Sequence, residues 1–442
     1  MRMISTLIRF SRRQLHTIVS RDIIKPSSPT PTHLKTYNLS MFDILVMNTF
    51  TPIVSFYPNT TTYASFHDKT LDLKKSLSQT LTKYYPFAGR LPKTAPTYVD
   101  CNDHGADFLE ASIDSTLSDF LQKSQHEDLN QLFPHGLVWY ESNKNYHDQS
   151  DSHVSPLAVQ VNRFECGGLA VAVSLSHKIG DASSLIRFLN DWAKVTQSSS
   201  CSIEPHFISF KHANINFPGV STEGSKECVT RSFTFSNKRL NDLKHKVITM
   251  SIESGQAITN PTRVEVLTWL LYKCAVGLDS FKPAGIDLLA NIRRTMLEPI
   301  PENSIGNFVV LIEVDTKNEN EMQPGYFISE IKKKKRELGG LKDLETACGH
   351  YLNKLSNGEI EDHQRRFDAD AAYMCSSMCR YGLYEIDFGW GKPMKVTMGG
   401  YLGINTFVLM DTANGDGIEA LVCLEKQDMD RFQSNSEVQA FC

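Results

Sequence analysis

The chain has 442 residues, of which 41% are hydrophobic and 22% are charged, which excludes the collagen-like and wholly disordered classes of protein. Its 46 basic and 50 acidic residues leave a net charge of −4, so there is no electrostatic footprint for nucleic acid or for an anionic membrane. A chain of this length usually folds as more than one domain, and we expect two domains of similar size.

The N-terminal extension, residues 1–16, differs from the rest of the chain. It contains four arginines, and no acidic residue precedes Asp22. This composition is typical of a transit peptide, but it also fits a disordered extension or an unused upstream start codon. We expect a cytoplasmic protein, with import into mitochondria or plastids as the minority alternative.

The cysteines and the apolar runs predict the redox state of the thiols and whether the chain crosses a membrane. The ten cysteines are scattered without zinc-finger or CxxC spacing, so reduced thiols are expected. No apolar run approaches the roughly 18–20 residues that a membrane span needs, so we expect no membrane span.

Apolar spacing in the first half of the chain predicts both strands and helices. A strand over 17–24 is followed by a proline-rich segment, and leucines at helical spacing predict a helix over 73–84. Strands are expected over 157–164 and 169–175, and the second is dense in valine, alanine and leucine, as in a sheet interior. A helix with one apolar face follows over 183–195.

The segment 197–229 is rich in serine, proline, glycine and lysine, and it predicts a linker near the middle of the chain. Beyond it we expect a strand over 231–235, a helix over 262–276 and further strands. The basic run 332–336 indicates a solvated helix face, with a nuclear signal as the minority alternative. Strands and helices in both halves predict an α/β fold with α+β layers.

The sharpest candidate site is the segment 176–181, Ser-His-Lys-Ile-Gly-Asp. His177 follows a predicted buried strand and precedes a helix, which is a usual position for a catalytic side chain. Its imidazole has an unperturbed pKa near neutrality and can therefore take up and return a proton. Asp181 lies across the turn and could fix the local geometry or orient the imidazole. Taken alone, this pair also fits an ordinary structural histidine.

A second candidate site begins at Asp387 and reads Asp-Phe-Gly-Trp-Gly-Lys-Pro. Gly389 and Gly391 flank Trp390, which indicates a tight turn that places an indole and a carboxylate. The simpler interpretation is a turn with an aromatic plug. A functional interpretation requires the backbone to approach a ligand closely, which glycine permits.

Together the two motifs resemble those of the plant BAHD acyl-CoA-dependent acyltransferases, which carry HxxxD in mid-chain and DFGWG nearer the C-terminus. Here the motifs are residues 177–181 and 387–391. The resemblance runs from about residue 17 to the C-terminus and includes the segments 84–90, 262–268, 291–293 and 306–307. The segments 24–31, 99–101 and 382–387 are similar to the alkaloid-acetylating branch of the family.

The resemblance implies two chloramphenicol-acetyltransferase-like domains, 17–196 with HxxxD and 230–442 with DFGWG, joined by a crossover loop at 197–229. A solvent channel between them would admit acyl-CoA from one side and the acceptor alcohol from the other. The implied partners are acetyl-CoA, or another acyl-CoA, as co-substrate and a small hydroxylated metabolite. The protein is then expected to be a monomer without a permanently bound cofactor, a metal or nucleic acid.

The mechanism implied by the resemblance is direct transfer of an acetyl group to a hydroxyl of a specialised metabolite such as an alkaloid. His177 would act as general base and return the proton to the CoA sulfur. Asp181 would have an architectural role. Asp387 would pair with Arg293, with a role as second base as the minority alternative. Trp390 would donate a hydrogen bond to the oxyanion.

Other site residues carry weaker expectations. Thr262 and Arg263 open a predicted helix whose N–H groups and basic side chain suit a CoA phosphate, although an ordinary N-cap and a surface arginine explain them equally well. Gly389 and Gly391 are expected to be structural. Met378 stands where relatives often have tryptophan and could reshape the acceptor channel.

Several other activities lack a site in this sequence. No GxSxG elbow, HExxH or P-loop occurs, which argues against esterase, zinc protease and NTPase functions. The segment 415–420 matches G-x-G-x-x-A, but a strand-like segment follows it, so a hairpin turn explains it better. The remaining alternatives are a non-catalytic binding protein of this fold, an enzyme that uses malonyl-, benzoyl- or tigloyl-CoA, or one with an amine acceptor.

Overall fold

A computed structural model describes most of the chain, namely residues 16–59, 65–93, 96–134, 137–138, 153–198, 200–208, 227–277, 283–357 and 371–442. The basic extension, apart from residue 16, lies outside the described residues. So do residues 209–226 of the predicted linker.

Strands occur in both halves of the chain. In chain order they are β1 (His16–Ile24), β2 (Thr36–Asn38), β3 (Phe50–Tyr57), β4 (Leu91–Pro92), β5 (Tyr98–Asp100), β6 (Ala106–Ile113), β7 (His153–Val154), β8 (Leu157–Phe164), β9 (Leu169–Ser176), β10 (His206–Phe207), β11 (Cys228–Ser236), β12 (Ala284–Asn291), β13 (Ser304–Ile305), β14 (Val309–Thr316), β15 (Ala372–Ser377), β16 (Lys395–Met398), β17 (Thr406–Asp411) and β18 (Gly417–Glu425).

Helices alternate with these strands. They are α1 (Met41–Leu45), α2 (Phe66–Lys83), α3 (Leu117–Lys123), α4 (Ala182–Gln197), α5 (Asn237–Glu253), α6 (Arg263–Val276), α7 (Pro324–Gly339), α8 (Leu344–Ser356), α9 (Lys426–Ser434) and α10 (Ser436–Phe441). Within the described part of the chain, no helix is both long and apolar enough to cross a membrane.

Two six-stranded mixed sheets form the centres of two sheet-rich domains, as the predicted α/β fold requires. The first has the order β1-β6-β8-β9-β3-β16, and the second has the order β11-β18-β17-β15-β12-β14. Strands β3 and β9 lie side by side inside the first sheet and are buried along their whole length. Their apolar sequences therefore meet protein on both faces, as expected for interior strands.

Helices cover the sheets and complete the two cores. Leu77 of α2 and Leu189 of α4 pack in one cluster with Val171 and Val173 of β9. Helices α5, α6 and α7 contribute to a second cluster that contains Trp269 and the strands of the second sheet. Burying these apolar side chains is the main source of stability for each layer.

Strand β16 belongs to the C-terminal half of the chain, yet it forms an edge of the first sheet. It pairs antiparallel with β3, with Lys395 opposite Phe56 and Met398 opposite Ile53. The predicted linker also begins and ends differently in the structure, because residue 197 closes α4 and residue 229 lies in β11. The division of the chain at 197–229 stays a prediction.

The predicted strands and helices around the HxxxD motif are confirmed with small changes at their ends. Strand β8 has the predicted bounds, β9 is one residue longer, and α4 extends over residues 182–197 instead of 183–195. The turn at residues 412–416 joins the antiparallel strands β17 and β18, as predicted for a hairpin.

Candidate active site

The candidate active site lies where one end of the first sheet meets one end of the second. Strand β9 ends at Ser176, which is opposite Phe50 at the start of β3, and His177 follows directly. In the second sheet, Asn291 at the end of β12 is opposite Val309 at the start of β14. The residues that follow β9 and β12, and those that precede β3 and β14, are therefore brought together.

The backbone of His177 is held on both sides. Its N–H donates to the carbonyl of Thr49 at 2.8 Å, and its carbonyl accepts from Nδ2 of Asn307 at 2.6 Å. Burial lowers the pKa of His177, against smaller raising effects from a hydrogen bond to its own backbone, the charge of Asp181 and the side chain of Asn307. The imidazole is therefore neutral at pH 7 and can accept a proton, as a general base must.

Asp181 is held by four donors from the protein itself. It caps the N-terminus of α4 by accepting from the backbone N–H of Ser184 at 2.9 Å, and the N–H of Phe308 donates to it at 3.1 Å. Arg293 adds a bidentate pair, with Nη1 to Oδ2 at 2.7 Å and Nη2 to Oδ1 at 3.0 Å. Burial alone would raise the pKa of Asp181, but Arg293 holds it below its usual value. The carboxylate thus joins the two domains beside His177.

The expected pairing of Arg293 with Asp387 is wrong, because Arg293 binds Asp181 instead. Asp387 closes its own turn, where Oδ1 accepts from the N–H groups of Gly389 at 2.8 Å and Gly391 at 2.9 Å. Both glycines have positive φ angles, +99° and +104°, which side chains other than glycine rarely adopt. The turn therefore needs its carboxylate and both glycines for local reasons.

Trp390 lies in an aromatic cluster away from the candidate site. Its ring is 6.0 Å from that of Tyr57 and 5.7 Å from that of Phe388, and the Lys69 ammonium lies 5.4 Å from its centroid. Tyr57 is the last residue of β3 and is opposite Leu169, the first residue of β9. Trp390 therefore packs at the end of these strands that is remote from His177.

Two independent distances place this turn far from the catalytic histidine. Seven residue steps along β3 from Phe50 to Tyr57 correspond to about 23 Å at the usual rise of a strand. Gln197 ends α4 and donates to the carbonyl of Asp387, and the 16-residue helix between Asp181 and this contact is about 24 Å long. The predicted oxyanion contact of Trp390 and the minority role of Asp387 as second base are therefore wrong.

Thr262 and Arg263 begin α6 as predicted, but the end of the helix is already capped. The Thr262 hydroxyl accepts from the N–H of Glu265 at 3.1 Å, and the Glu265 carboxylate accepts from the N–H of Thr262 at 2.9 Å. Arg263 donates to the side chain of Asn237, and Lys335 donates to Glu265 at 3.0 Å. This geometry favours the simpler interpretation of an N-cap, and a role in CoA binding stays a prediction.

The sequence analysis assigned no role to Asp43, Lys178 or Asn307, which the structure brings next to His177. Asn307 donates to Asp43 Oδ1 through both its backbone N–H and its Nδ2, at 2.8 Å each. Lys178 is buried and donates to the carbonyl of Ile44 at 2.8 Å. Burial lowers the pKa of Lys178 to about 8, while the charge of Asp43 opposes the shift. A Ser-x-x-Asp capping pattern ending at Asp43 was the available signal.

Two buried hydroxyls lie at the start of β3, near the histidine. Thr49 and Thr51 are both buried, and their hydroxyls have no hydrogen-bond partner among the described residues. Thr49 binds the backbone of His177, and Thr51 is opposite Leu175 in the register of β3 with β9.

Within the part of the chain that the structure describes, no group of three or more His, Cys, Asp or Glu side chains is placed to hold a metal ion.

Comparisons with known proteins agree with this fold. Residues 16–439 match the model of the Transferase family. The chain is 37% identical over 441 residues to akuammiline synthase 1 from Alstonia scholaris, covering 96% of this chain and 97% of that protein. It is 35% identical over 439 residues to acylsugar acyltransferase 3 from Solanum lycopersicum, again with 96% and 97% covered.

A solved structure has the same architecture. The crystal structure of vinorine synthase superposes with a TM-score of 0.78 at 28% identity, covering 96% of this chain and 98% of that one. The two sheet-rich domains are thus those of a chloramphenicol-acetyltransferase-like fold. Members of the family use acyl-CoA as co-substrate and a small molecule as acceptor. The chain belongs to the Transferase family of plant BAHD acyltransferases and is an acyltransferase enzyme.

Proposed function

We propose that this enzyme transfers an acetyl group from acetyl-CoA to a hydroxyl of a small plant metabolite such as an alkaloid, with His177 as general base. One observation carries the proposal. The neutral imidazole follows an interior strand, its backbone is held by Thr49 and Asn307, and it lies beside the ion pair that joins the two domains. This is the geometry of a rigidly placed base at a domain boundary.

The proposed reaction proceeds in a complex of the enzyme with both substrates. His177 takes the proton of the acceptor hydroxyl while the hydroxyl oxygen attacks the thioester carbonyl and forms the new C–O bond. The tetrahedral intermediate then collapses, the C–S bond breaks, and the imidazolium gives its proton to the departing CoA sulfur. The products are the ester and free CoA, and the histidine is neutral again.

Neither of the two motif aspartates, Asp181 and Asp387, transfers a proton in the proposed reaction. Asp181 binds Arg293 and caps α4, so it fixes the loop that carries His177 and transfers no proton. Asp387 lies at the far end of α4, where it closes its own turn. A single base therefore carries the proton in both directions.

The choice of acetyl and of an alkaloid acceptor rests on similarity. The segments 24–31, 99–101 and 382–387 resemble the alkaloid-acetylating branch, and vinorine synthase shares the fold at 28% identity. The relative from Solanum lycopersicum is named for acylsugar acylation, which makes a sugar hydroxyl the second candidate acceptor. Other acyl donors and amine acceptors are alternative outcomes of the same assay.

The test combines a panel of acyl-CoA donors with hydroxylated alkaloids, sugars and simple amines, and it follows CoA release and product mass together. Wild-type protein should give an acetyl ester. His177→Ala should lose about 10²–10⁴-fold in kcat while it still binds CoA. His245→Ala, on the exposed face of α5, is the control and should retain full activity.

Each outcome of this assay decides between the proposals. Turnover by His177→Ala equal to that of the wild-type protein would refute the role as base. Product only with malonyl-, benzoyl- or tigloyl-CoA would replace acetyl as the donor. CoA binding without turnover of any pair of substrates would favour a non-catalytic binding protein.

A further inference from the structure

We infer that Asp43 and Asn307 are positioning residues for His177: the Asp43 carboxylate fixes the Asn307 amide, which in turn holds the His177 backbone. The inference rests on the proposed role of His177 as base. It extends that role to a residue of the first domain and a residue of the second, neither of which touches the bond that breaks.

The orientation of the Asn307 amide follows from its partners. Its Nδ2 lies 2.6 Å from the carbonyl oxygen of His177 and 2.8 Å from Oδ1 of Asp43. Both partners are acceptors, so the group that faces them must be the NH₂ and not the oxygen. The backbone N–H of Asn307 also donates to Asp43 Oδ1, at 2.8 Å. Asp43 therefore permits one orientation of the amide, in which Oδ1 faces away from it.

Asp43 is itself rigidly held. It lies in the first turn of α1, where Oδ2 accepts from the backbone N–H of Ser40 at 2.7 Å, and its own N–H donates to the Ser40 hydroxyl at 3.1 Å. The side chain is fully buried, and burial raises the pKa of Asp43 although the hydrogen bonds from Ser40 and Asn307 oppose the shift. A buried carboxylate with these donors has no freedom to re-orient without breaking the capping box.

The same short helix is anchored on the other side of the histidine. Lys178 follows His177 directly and donates to the carbonyl of Ile44 near the end of α1. Helix α1 therefore contacts the histidine loop at two points, through Asn307 at the His177 carbonyl and through Lys178. This double attachment fixes the backbone from which the imidazole projects.

Asn307 also acts on the imidazole. Its side chain raises the pKa of His177, although its Oδ1 has no hydrogen-bond partner among the described residues. The direct contact between the two residues is the bond from Nδ2 to the His177 carbonyl, which fixes the backbone from which the imidazole projects. During the proposed reaction His177 carries an extra proton, and the same fixed backbone keeps that imidazolium in place.

The experiment measures the pKa of His177 directly, by NMR titration of protein labelled at the histidine Cε1 carbons, and His177→Gln assigns its signal among the 14 histidines. Asn307→Ala should lower the pKa of His177, because the Asn307 side chain raises that pKa in the wild-type protein. The acidic limb of the kcat/KM profile should move to lower pH by the same amount. We expect kcat to fall about 10–100-fold, with a much smaller change in KM for acyl-CoA.

Asn162→Ala is the matched control. Asn162 is buried and donates to the carbonyl of Leu132 at 3.0 Å, but it is opposite Ala170, near the end of β9 remote from His177. It should lower the melting temperature without moving the pKa of His177 or kcat. An effect of both substitutions on that pKa would mean that loss of packing explains the result, and would overturn the inference.

The isosteric variant Asp43→Asn covers the case in which Asn307→Ala does not fold. It removes the carboxylate that orients the amide, so the pKa of His177 should fall in the same direction. An unchanged pKa of His177 and an unchanged pH profile in both variants would refute the inference. If the wild-type protein transfers no acyl group, the proposed function fails, while the NMR titration still decides the effect of Asn307.

Discussion

Replacing Arg293 by methionine tests the ion pair that joins the two domains. Arg293→Met keeps much of the side-chain volume but removes all donors from the guanidinium. Asp181 then keeps only the backbone N–H groups of Ser184 and Phe308, at 2.9 and 3.1 Å. The substitution leaves an unpaired carboxylate in a buried position, since the side chains of both partners are at most 5% exposed.

The expected loss of stability follows from this burial. Leaving one partner of a buried ion pair without its counter-charge costs about 3–5 kcal/mol. Because two backbone donors remain on Asp181, we take the lower end, about 3 kcal/mol, which corresponds to a melting temperature lower by about 6–12 °C for domains of this size. The loop that carries His177 loosens as well, so kcat should fall in Arg293→Met.

The pH dependence has a definite sign. In the wild-type protein the folded-state pKa of Asp181 lies below its unfolded value, so the pair stabilises the fold above about pH 4 and is lost as pH falls through the folded-state pKa. In Arg293→Met only the backbone N–H groups of Ser184 and Phe308 oppose the effect of burial, so the pKa of Asp181 rises. Protonation then relieves the buried charge, so the difference between the two proteins should shrink as pH falls from 8 to 5.

The assay is thermal unfolding of four proteins: wild type, Arg293→Met, Asp181→Asn and the double variant. Asp181→Asn in the Arg293→Met background removes the stranded charge and should recover part of the melting temperature. Additive losses in the double variant, or a single variant that melts at the wild-type temperature, would refute the claim that this pair joins the domains energetically.

Two further changes test the assignment of the remaining residues. Asp387→Ala should lower the free energy of unfolding by about 1 kcal/mol, because it removes the hydrogen bonds of the turn. Trp390→Phe should lower the melting temperature through lost packing against Tyr57 and Phe388. Both variants should keep the wild-type kcat, because both positions lie about 20 Å from His177. A kcat reduced as strongly as in His177→Ala would contradict this placement. Thr51→Val removes a buried hydroxyl without a partner among the described residues and keeps its shape, so the melting temperature should not fall. Its kcat/KM should decrease for one of the two substrates, which steady-state kinetics with each substrate varied in turn would measure. An unchanged kcat/KM for both substrates would show that the hydroxyl binds neither.

The strand, loop and helix around His177 were predictable because each depends on residues that are neighbours in the sequence. The alternation of β8 and the dense apolar run of β9 determine two interior strands, and Asp181 has the residue type and position of an N-cap for α4. His177 follows from these elements, since it is the first residue after a buried strand. No residue distant in sequence is needed for that inference.

The long-range part was not predictable from one sequence. Arg293 is 112 residues from Asp181, and Asn307 is 264 residues from Asp43. No periodicity encodes such pairs, because they depend on how the ends of two sheets meet. The turn at Asp387 is local, since its carboxylate binds N–H groups two and four residues on, but its position at the end of α4 depends on the long-range contact with Gln197.

Four expectations from the sequence stay predictions. They are the contact of Thr262 and Arg263 with CoA, the effect of Met378 on the acceptor channel, the cytoplasmic location and the monomeric state. Met378 is buried and its N–H binds the carbonyl of Leu409 at 2.8 Å, which places it in the core of the protein.

The edge position of β16 has a consequence for synthesis on the ribosome. Strand β3 is translated early, but its partner β16 lies more than 300 residues later in the chain. At a synthesis rate of roughly 5–20 residues per second, the open edge of β3 waits for roughly 20–70 s. During this interval an apolar strand with unpaired N–H and C=O groups is exposed to other nascent chains. The first sheet is therefore complete only after nearly the whole protein has been made. The N-terminal half of the chain, expressed alone, would keep an unpaired strand edge that can associate with other chains.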